Sequence, residues 1–216
     1  MGNKILKLDT VSAVGQRFLR FSQCKQEMKG YDLNNKYPIR TILWVSPLAE
    51  LNRETLSATV SLPRINTSTN LQNIRKLPYF RLIISLGTVS DMMYNPDGLI
   101  YNYQPINEKL NVVSNSTLSE WHSTNDVLPT HVLSVQLNEI DIPLLTDDVT
   151  VLLSMGIEFG NVGFGGFIEP VKHMGAGRFC FAVKTKPFRV QCSASERLLI
   201  LKVALPLIVD CRKPES

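Results

Sequence analysis

The residues that come closest to a chemical motif are a set of glycines alternating with aromatic side chains. Four glycines stand within residues 160–166, and Phe164 and Phe167 lie among and after them. A glycine-rich loop can bind phosphate through its backbone N–H groups, but neither G-x-x-x-x-G-K-[ST] nor G-x-G-x-x-G opening a helix occurs here. Glycines next to aromatic residues favour a bulged strand or a close approach of two backbones. A contact loop is the alternative.

Side chains that could catalyse a reaction or bind a metal are few and scattered. His122, His131 and His173 form no H-E-x-x-H pattern, and the sequence has no G-x-S-x-G motif. The four cysteines show no C-x-x-C spacing. An acidic stretch at residues 139–148 contains Pro143 where a calcium loop needs alternating oxygen ligands, so it predicts a solvated turn. The sequence therefore predicts no enzyme, no cofactor and no metal site.

The first thirty residues carry the net charge of the chain. They hold six basic and two acidic residues, and this excess of four equals the formal net charge of +4 for the whole chain. The basic and acidic residues of the remainder are therefore equal in number. Removal of Met1 would expose the glycine that N-myristoylation requires, although Leu6 stands where the motif prefers Ser or Thr. One acyl chain binds membranes weakly, and basic residues would supply a second signal. The alternative is an arm packed on its own body or on a neighbouring subunit. The predicted membrane-binding residues are Gly2, Lys4, Lys7, Arg17 and Arg20.

A second basic region lies in the C-terminal third, where aromatic residues are interleaved with cations. This pattern can bind nucleic acid through phosphate charge and base stacking. The alternative is an ordinary antiparallel strand with apolar residues inward and cations outward, which the placement of Phe179 and Phe181 on one strand face favours. The candidate nucleic-acid-binding residues are Arg178, Lys184, Lys186 and Arg189.

The elements that must position these residues are predicted to be mostly strands. Residues 56–62 place Leu56, Ala58, Val60 and Leu62 on one side, and this period of two predicts a half-buried antiparallel strand. Short apolar runs, several of them rich in β-branched or aromatic residues, predict further strands at residues 39–45, 80–89, 130–137, 149–159, 178–185 and 188–191.

Turn residues and strand spacing together indicate the fold class. Asn95-Pro96-Asp97-Gly98 predicts a type I turn that joins residues 89–94 to residues 99–103 as a hairpin. The apolar run at residues 198–205 stays open between a buried strand and a helix, since a sequence resembling a capping box precedes it. The chain is predicted to be mainly β: a single antiparallel β-sandwich or barrel-like domain over residues 31–216, after a helical or mobile basic segment over residues 1–30.

This combination of a β-rich body, a basic N-terminal segment and no catalytic constellation resembles the matrix proteins of negative-strand RNA viruses. The resemblance lies in architecture and charge distribution, and the chain departs from that group in having no P-P-x-Y or P-T-A-P motif. It implies a non-enzymatic protein of the virion and the cytoplasmic face of host membranes. Such a protein would self-associate through exposed sheet edges, bind anionic membrane, take part in assembly and budding, and contact a viral ribonucleoprotein or RNA. The alternatives are a nucleic-acid-binding viral coat or movement protein with a β-sandwich core and, third, an enzyme on a β scaffold.

Overall fold

The computed structural model describes residues 5–7, 9–34, 36–73, 75–97, 103–183 and 188–191. Within these residues the chain is mainly β with a few short helices, which confirms the predicted fold class. The strands are β1 (Leu48–Asn52), β2 (Ser57–Leu62), β3 (Ile65–Asn66), β4 (Tyr79–Ser90), β5 (Met92–Tyr94), β6 (Tyr103–Pro105), β7 (Ser114–Leu118), β8 (His122–Ser123), β9 (Val127–Leu128), β10 (His131–Gln136), β11 (Val149–Val162), β12 (Ile168–Val183) and β13 (Phe188–Gln191). The helices are α1 (Lys25–Met28), α2 (Ile39–Ile42) and α3 (Thr67–Asn70), with 3-10 turns at Phe21–Gln23, Glu139–Leu144 and Phe164–Gly166.

Two antiparallel sheets form the body. The larger sheet has the strand order β12-β11-β4-β7, with β8 paired to the start of β4, and the smaller sheet has the order β10-β2-β1-β13. The longest ladder joins β4 to β11 and runs from Tyr79 opposite Gly160 to Ser90 opposite Val149. Apolar side chains of both sheets form one core. This sandwich arrangement positions every surface discussed below.

The larger sheet is covered on both faces near the Ser90 end of β4. Leu82, Leu86 and Leu153 belong to the core between the sheets, whereas Val89 and Leu152 belong to a second apolar cluster on the opposite face. The N-terminal segment supplies the rest of the second cluster, namely Ile5, Leu19, Phe21, Cys24 and Met28. The described part of the first thirty residues is therefore packed against the sheet.

Burial explains why the strand signals in the sequence differ from one strand to another. In β2 the buried positions Ala58, Val60 and Leu62 alternate with half-buried ones, which confirms the predicted period of two. β4 and β11 are buried at nearly every position because both faces are covered. Strands of that kind read as continuous apolar runs, and the predictions at residues 80–89 and 149–159 are confirmed.

The predicted strand at residues 39–45 is wrong, because residues Ile39–Ile42 form helix α2. Pro38 precedes the helix, and the Asp32 carboxylate accepts the N–H of Ile39 at 3.3 Å, so a first-turn donor is satisfied from seven residues away. Ile39, Ile42 and Leu43 are buried, a spacing of three and four that fits one helical face. The apolar β-branched residues of this stretch alone do not distinguish a helix from a strand.

The remaining predictions have mixed outcomes. A hairpin across Asn95-Pro96 is confirmed, since β5 pairs antiparallel with β6, but its pairing starts at Tyr94 opposite Tyr103. Most of the predicted second strand, residues 99–102, and the end of the predicted type I turn lie outside the described part of the chain. The acidic stretch forms a 3-10 turn with none of its residues buried, as its solvated reading predicts. Strands β10 and β13 lie in the regions predicted at residues 130–137 and 188–191. The strand predicted at residues 178–185 is the end of β12, which begins ten residues earlier, at Ile168. The residues of the open prediction at 198–205 lie outside the described part of the chain.

Side chains and loops already contact several sheet edges. The edge strands β7 and β10 meet along what we call the side seam, where Asn115 Nδ2 donates to the Gln136 carbonyl and Thr117 Oγ1 to the Ser134 carbonyl, each at 2.8 Å. On β12 the carbonyl of Gly177 accepts the N–H of Leu33 at 3.1 Å. Exposed edges are the usual sites of strand addition between chains, and these edge positions are already occupied.

Candidate membrane-contact surface

A loop closed by one carboxylate projects from the N-terminal segment. Asp9 Oδ1 accepts the N–H groups of Val11 and Ser12 at 3.1 Å each, and Oδ2 accepts the N–H of Phe18 at 2.8 Å. Hydrogen bonds from the Phe18 backbone first, and then from Ser12 and Val11, hold the pKa of the Asp9 carboxyl well below its ordinary value. The carboxylate thus stays charged and fixes both ends of residues 10–17, which we call the Asp9 loop.

The Asp9 loop exposes apolar side chains instead of burying them. Val11 is 91% exposed and Val14 is 87% exposed. Gly15 follows at a φ of +93°, with open space where a side chain would stand. Large apolar side chains with such high exposure are informative when they cluster, and here two of them are held by an ordered backbone.

Basic residues flank the Asp9 loop on both sides in sequence. Lys7 is exposed, while Arg17 and Arg20 are half-buried. The Arg20 guanidinium lies 5.5 Å from the centre of the Phe18 ring, a cation–π distance. The structure therefore brings together, within one short segment, three of the predicted membrane-binding residues and two exposed valines. The other two predicted residues, Gly2 and Lys4, lie outside the described residues.

The N-terminal segment is tied to the sheet by a buried carboxylate. Asp91, directly after β4, accepts the N–H of Ser22 at 2.7 Å and its Oγ–H at 2.6 Å. Leu19 and Met92 exchange backbone hydrogen bonds of 2.9 Å beside it. Burial raises the pKa of Asp91, the hydrogen bonds from Ser22 oppose that rise, and the nearby charge of Asp148 adds to it. The Asp9 loop consequently has a fixed base at the Ser90 end of the larger sheet.

The second predicted interface lies largely outside the described side chains. Lys184 and Lys186 fall outside the described residues, and for Arg178 in β12 and Arg189 in β13 only the backbone is described. The nucleic-acid reading of this region stays a prediction.

The glycine cluster forms the turn between the two longest strands. Residues 163–167, which we call the hairpin tip, connect β11 to β12, with Gly165 and Gly166 at φ values of +83° and +84°. The Gly163 N–H donates to the Phe167 carbonyl at 2.8 Å, so the turn satisfies part of its own backbone. Phe164 is fully exposed and Phe167 is 76% exposed. The β11–β12 ladder shifts register between Glu158 and Gly160, as the bulged-strand reading predicts for the start of the cluster, whereas the contact-loop alternative stays a prediction.

An aromatic and ionic cluster supports the base of the hairpin tip. The Arg81 guanidinium lies 4.5 Å from the centre of the Trp121 ring and pairs with Glu158 at 2.8 Å across the β4–β11 ladder. Trp121 also covers Gly160, where an added Cβ atom would stand 2.7 Å from Cζ3 of the indole. Gly160 is needed here because the ring occupies the space of a side chain.

Replacing Gly160 by alanine should overpack this site. The added methyl group would lie 2.8 Å from Ile168 Cγ2 as well as against Trp121, and such overpacking costs about 1–3 kcal/mol. Trp121 should move from Arg81, which a shift in its fluorescence would report in a Trp44→Phe background. Gly163→Ala is a poor control, since Glu169 fills the space of its side chain. Thr69→Ala, on the exposed face of α3, is the control. An unchanged unfolding midpoint and unchanged Trp121 fluorescence in Gly160→Ala would refute the close contact.

Two of the three histidines lie next to each other in the structure. His122 and His131 are neighbours, with ring centres 5.5 Å apart, but the described residues contain no group of three or more His, Cys, Asp or Glu residues able to hold a metal ion. The side chain of His173 lies outside the described part.

Sequence reasoning missed Asp9 and did not single out the two exposed valines. A signal for Asp9 was present, because aspartate commonly accepts N–H groups two and three residues ahead in an Asx turn. Its bond to Phe18, nine residues away, has no sequence pattern. The exposure of Val11 and Val14 depends on that closure, so it could not be read from hydrophobicity alone.

Comparisons with known proteins and the search for membrane-spanning helices were both negative. Within the ranges the structure describes, no helix has the length and apolar character needed to cross a bilayer. Neither the protein-family models nor the curated proteins gave a match to this chain.

Proposed function

We propose that this protein is a non-enzymatic structural protein of the matrix type, which binds the surface of an anionic membrane through the Asp9 loop and its flanking cations. The observation that carries the proposal is the exposure of Val11 and Val14, at 91% and 87%, in a loop anchored by Asp9 and bordered by basic residues. Self-association, a role in assembly and budding, and contact with a ribonucleoprotein belong to the same proposal and rest on the resemblance to matrix proteins.

The energies of such a contact are modest but additive. A basic residue close to an anionic leaflet contributes about 1 kcal/mol, and Lys7, Arg17 and Arg20 provide three. Full burial of a valine side chain contributes about 1.5–3 kcal/mol to binding, and a valine at the membrane interface contributes a part of this energy. Acylation of Gly2 would add to this binding, yet these contributions do not depend on it.

The hairpin tip is the competing contact. Its aromatic side chains are larger than valine, but an acidic side chain lies against it. Glu169 lies against Gly163, within 3 Å of the position a Cβ atom would take. An acidic side chain at the contact opposes binding to an anionic surface. The Asp9 loop is favoured because apolar exposure and positive charge coincide there.

Flotation with lipid vesicles tests the proposal directly. The Gly2→Ala protein, which cannot be acylated, should float with vesicles of phosphatidylserine and phosphatidylcholine and not with phosphatidylcholine alone. Lys7→Gln/Arg17→Gln should lower the partition coefficient about thirtyfold, since about 2 kcal/mol is lost. Val11→Ser/Val14→Ser should lower it about tenfold while leaving the salt dependence unchanged, because only apolar burial is removed.

Two matched double variants act as controls. Arg75→Gln/Lys172→Gln removes two exposed cations near the opposite, Tyr79 end of the larger sheet and should reduce binding by less than threefold. Phe164→Ser/Phe167→Ser removes the apolar surface of the hairpin tip and should have no effect. The proposal fails if the protein does not float with phosphatidylserine, or if the phenylalanine variant shows the loss and the valine variant does not.

A further inference from the structure

Two imidazole rings meet where the two sheets approach each other. His122 is in β8, which pairs with β4 of the larger sheet, and His131 is the first residue of β10 in the smaller sheet. Their ring centres are 5.5 Å apart with an angle of 77° between the planes, an edge-to-face arrangement. Phe80 is a fully buried core residue, and the centre of its ring is 5.6 Å from the centre of the His122 ring.

Both rings present a buried nitrogen that has no hydrogen-bond partner. Nε2 of His122 and Nε2 of His131 are each inaccessible and unpaired. A neutral imidazole can leave one nitrogen unprotonated, whereas an imidazolium carries an N–H on both. Charging either ring would therefore place an unsatisfied donor and a positive charge inside this contact, which is expensive in an apolar site.

The charged groups around the pair offer little compensation. Glu120, two residues before His122, is the acidic group acting on it, and its effect is smaller than those of burial and of His131. Asp126, in the turn after β8, is exposed. Arg81 lies over the Trp121 ring and pairs with Glu158 at 2.8 Å. From β4 and β2 the facing residues are apolar, since His122 is opposite Phe80 and His131 is opposite Leu62.

We propose that His122 and His131 form an acid-sensitive clasp, which holds the two sheets together at neutral pH and opens this end of the side seam when His122 becomes protonated. The side-chain hydrogen bonds described between β7 and β10 come from Asn115 and Thr117, which do not titrate. The clasp is consequently the part of this seam whose strength changes between neutral and mildly acidic pH.

The direction of the effect follows from the state that binds protons more readily. Burial, followed by the charge of His131, lowers the pKa of His122 below its ordinary value of 6.5. The unfolded or opened chain then binds protons that the closed form excludes. Stability is complete above about pH 6.5 and falls as the pH drops from there towards the lowered pKa of the folded state.

Urea denaturation between pH 7.5 and pH 5 would test the clasp. The unfolding constant of the wild type should rise as the pH falls below 6.5, by up to about tenfold per pH unit for each proton taken up. The double variant His122→Phe/His131→Phe, which keeps aromatic rings and cannot titrate, should lose this component. His173→Gln removes the third histidine and should keep it. Once the intrinsic slowing of amide exchange at low pH is corrected for, the protection factors of β8 and the start of β10 should fall on acidification relative to those of β2.

A second measurement keeps the proposal testable if the double variant does not fold. Proton NMR of the wild type should show His122 with a pKa below its ordinary value of 6.5, and His131→Gln should move that pKa upward because a neighbouring positive charge is removed. The clasp is ruled out if His122 titrates near pH 6.5 in the folded protein, or if the double phenylalanine variant keeps the acid dependence of the wild type.

Discussion

Phe80→Ala should be among the most destabilising single changes in the chain. Phe80 is fully buried, stands opposite Phe159 in the central ladder and lies beneath His122. Truncating a buried phenylalanine removes its burial energy and leaves a cavity, which together lower the free energy of unfolding by about 3–5 kcal/mol. In a domain of this size the melting temperature should fall by roughly 10 °C. Thermal and urea denaturation at pH 7.5 would measure both quantities.

Phe167→Ala is the matched control for this change. It removes the same side chain from the hairpin tip, where Phe167 is 76% exposed. Substitutions at exposed positions usually change stability by less than about 0.5 kcal/mol. Comparable losses in the two variants would mean that Phe80 is not in the core described here, or that the hairpin tip is covered in solution.

Asp91→Ala should detach the N-terminal segment from the larger sheet. The change removes the acceptor of both the Ser22 N–H at 2.7 Å and the Ser22 Oγ–H at 2.6 Å. Buried donors left without partners cost about 1–3 kcal/mol each, so we expect a loss of about 3 kcal/mol in the free energy of unfolding. Limited proteolysis should cut residues 10–30 faster, and vesicle binding should change because the Asp9 loop loses its fixed base.

Asp91→Asn separates the hydrogen bonds from the charge. The amide can still accept the Ser22 N–H and can donate to the Ser22 hydroxyl, while burial no longer has to desolvate a carboxylate. We expect stability at pH 7 to change by less than about 1 kcal/mol. Because the pKa of Asp91 is raised in the folded state, this group by itself makes the wild type more stable as the pH falls towards 3.8. Asp91→Asn should lack that gain, and an equally large loss in both variants would contradict the anchoring role of these hydrogen bonds.

Strand β2 could be predicted because its signal is local. Ala58, Val60 and Leu62 are buried while their neighbours are half-buried, so the alternation of apolar and polar residues in the sequence matches the alternation of burial in the strand. The long runs of β4 and β11 were equally clear as strands. These strands do not alternate between apolar and polar residues because the N-terminal segment covers the second face of the sheet. No pattern within either strand predicts which segment covers that face.

Helix α2 and the contacts of the candidate sites could not be predicted because distant residues determine them. The N–H of Ile39 is satisfied by Asp32, and the Asp9 loop is closed at Phe18. His122 and His131 meet only after β8 joins one sheet and β10 the other. The glycine cluster gave the right location for an unusual backbone, but its turn geometry and the exposure of Phe164 depend on the pairing of β11 with β12.

The β4–β11 ladder also fixes a distance. Leu19 pairs with Met92 just beyond the Ser90 end of β4, whereas the hairpin tip follows Gly160, which is opposite Tyr79 at the other end. Twelve paired positions separate the two ends, a span of roughly 40 Å at the usual rise per residue of a strand. A hydrogen-bonded sheet keeps its length. Under the proposed function, a molecule standing upright on a membrane by its Asp9 loop would therefore hold Phe164 at a set height above the lipid headgroups.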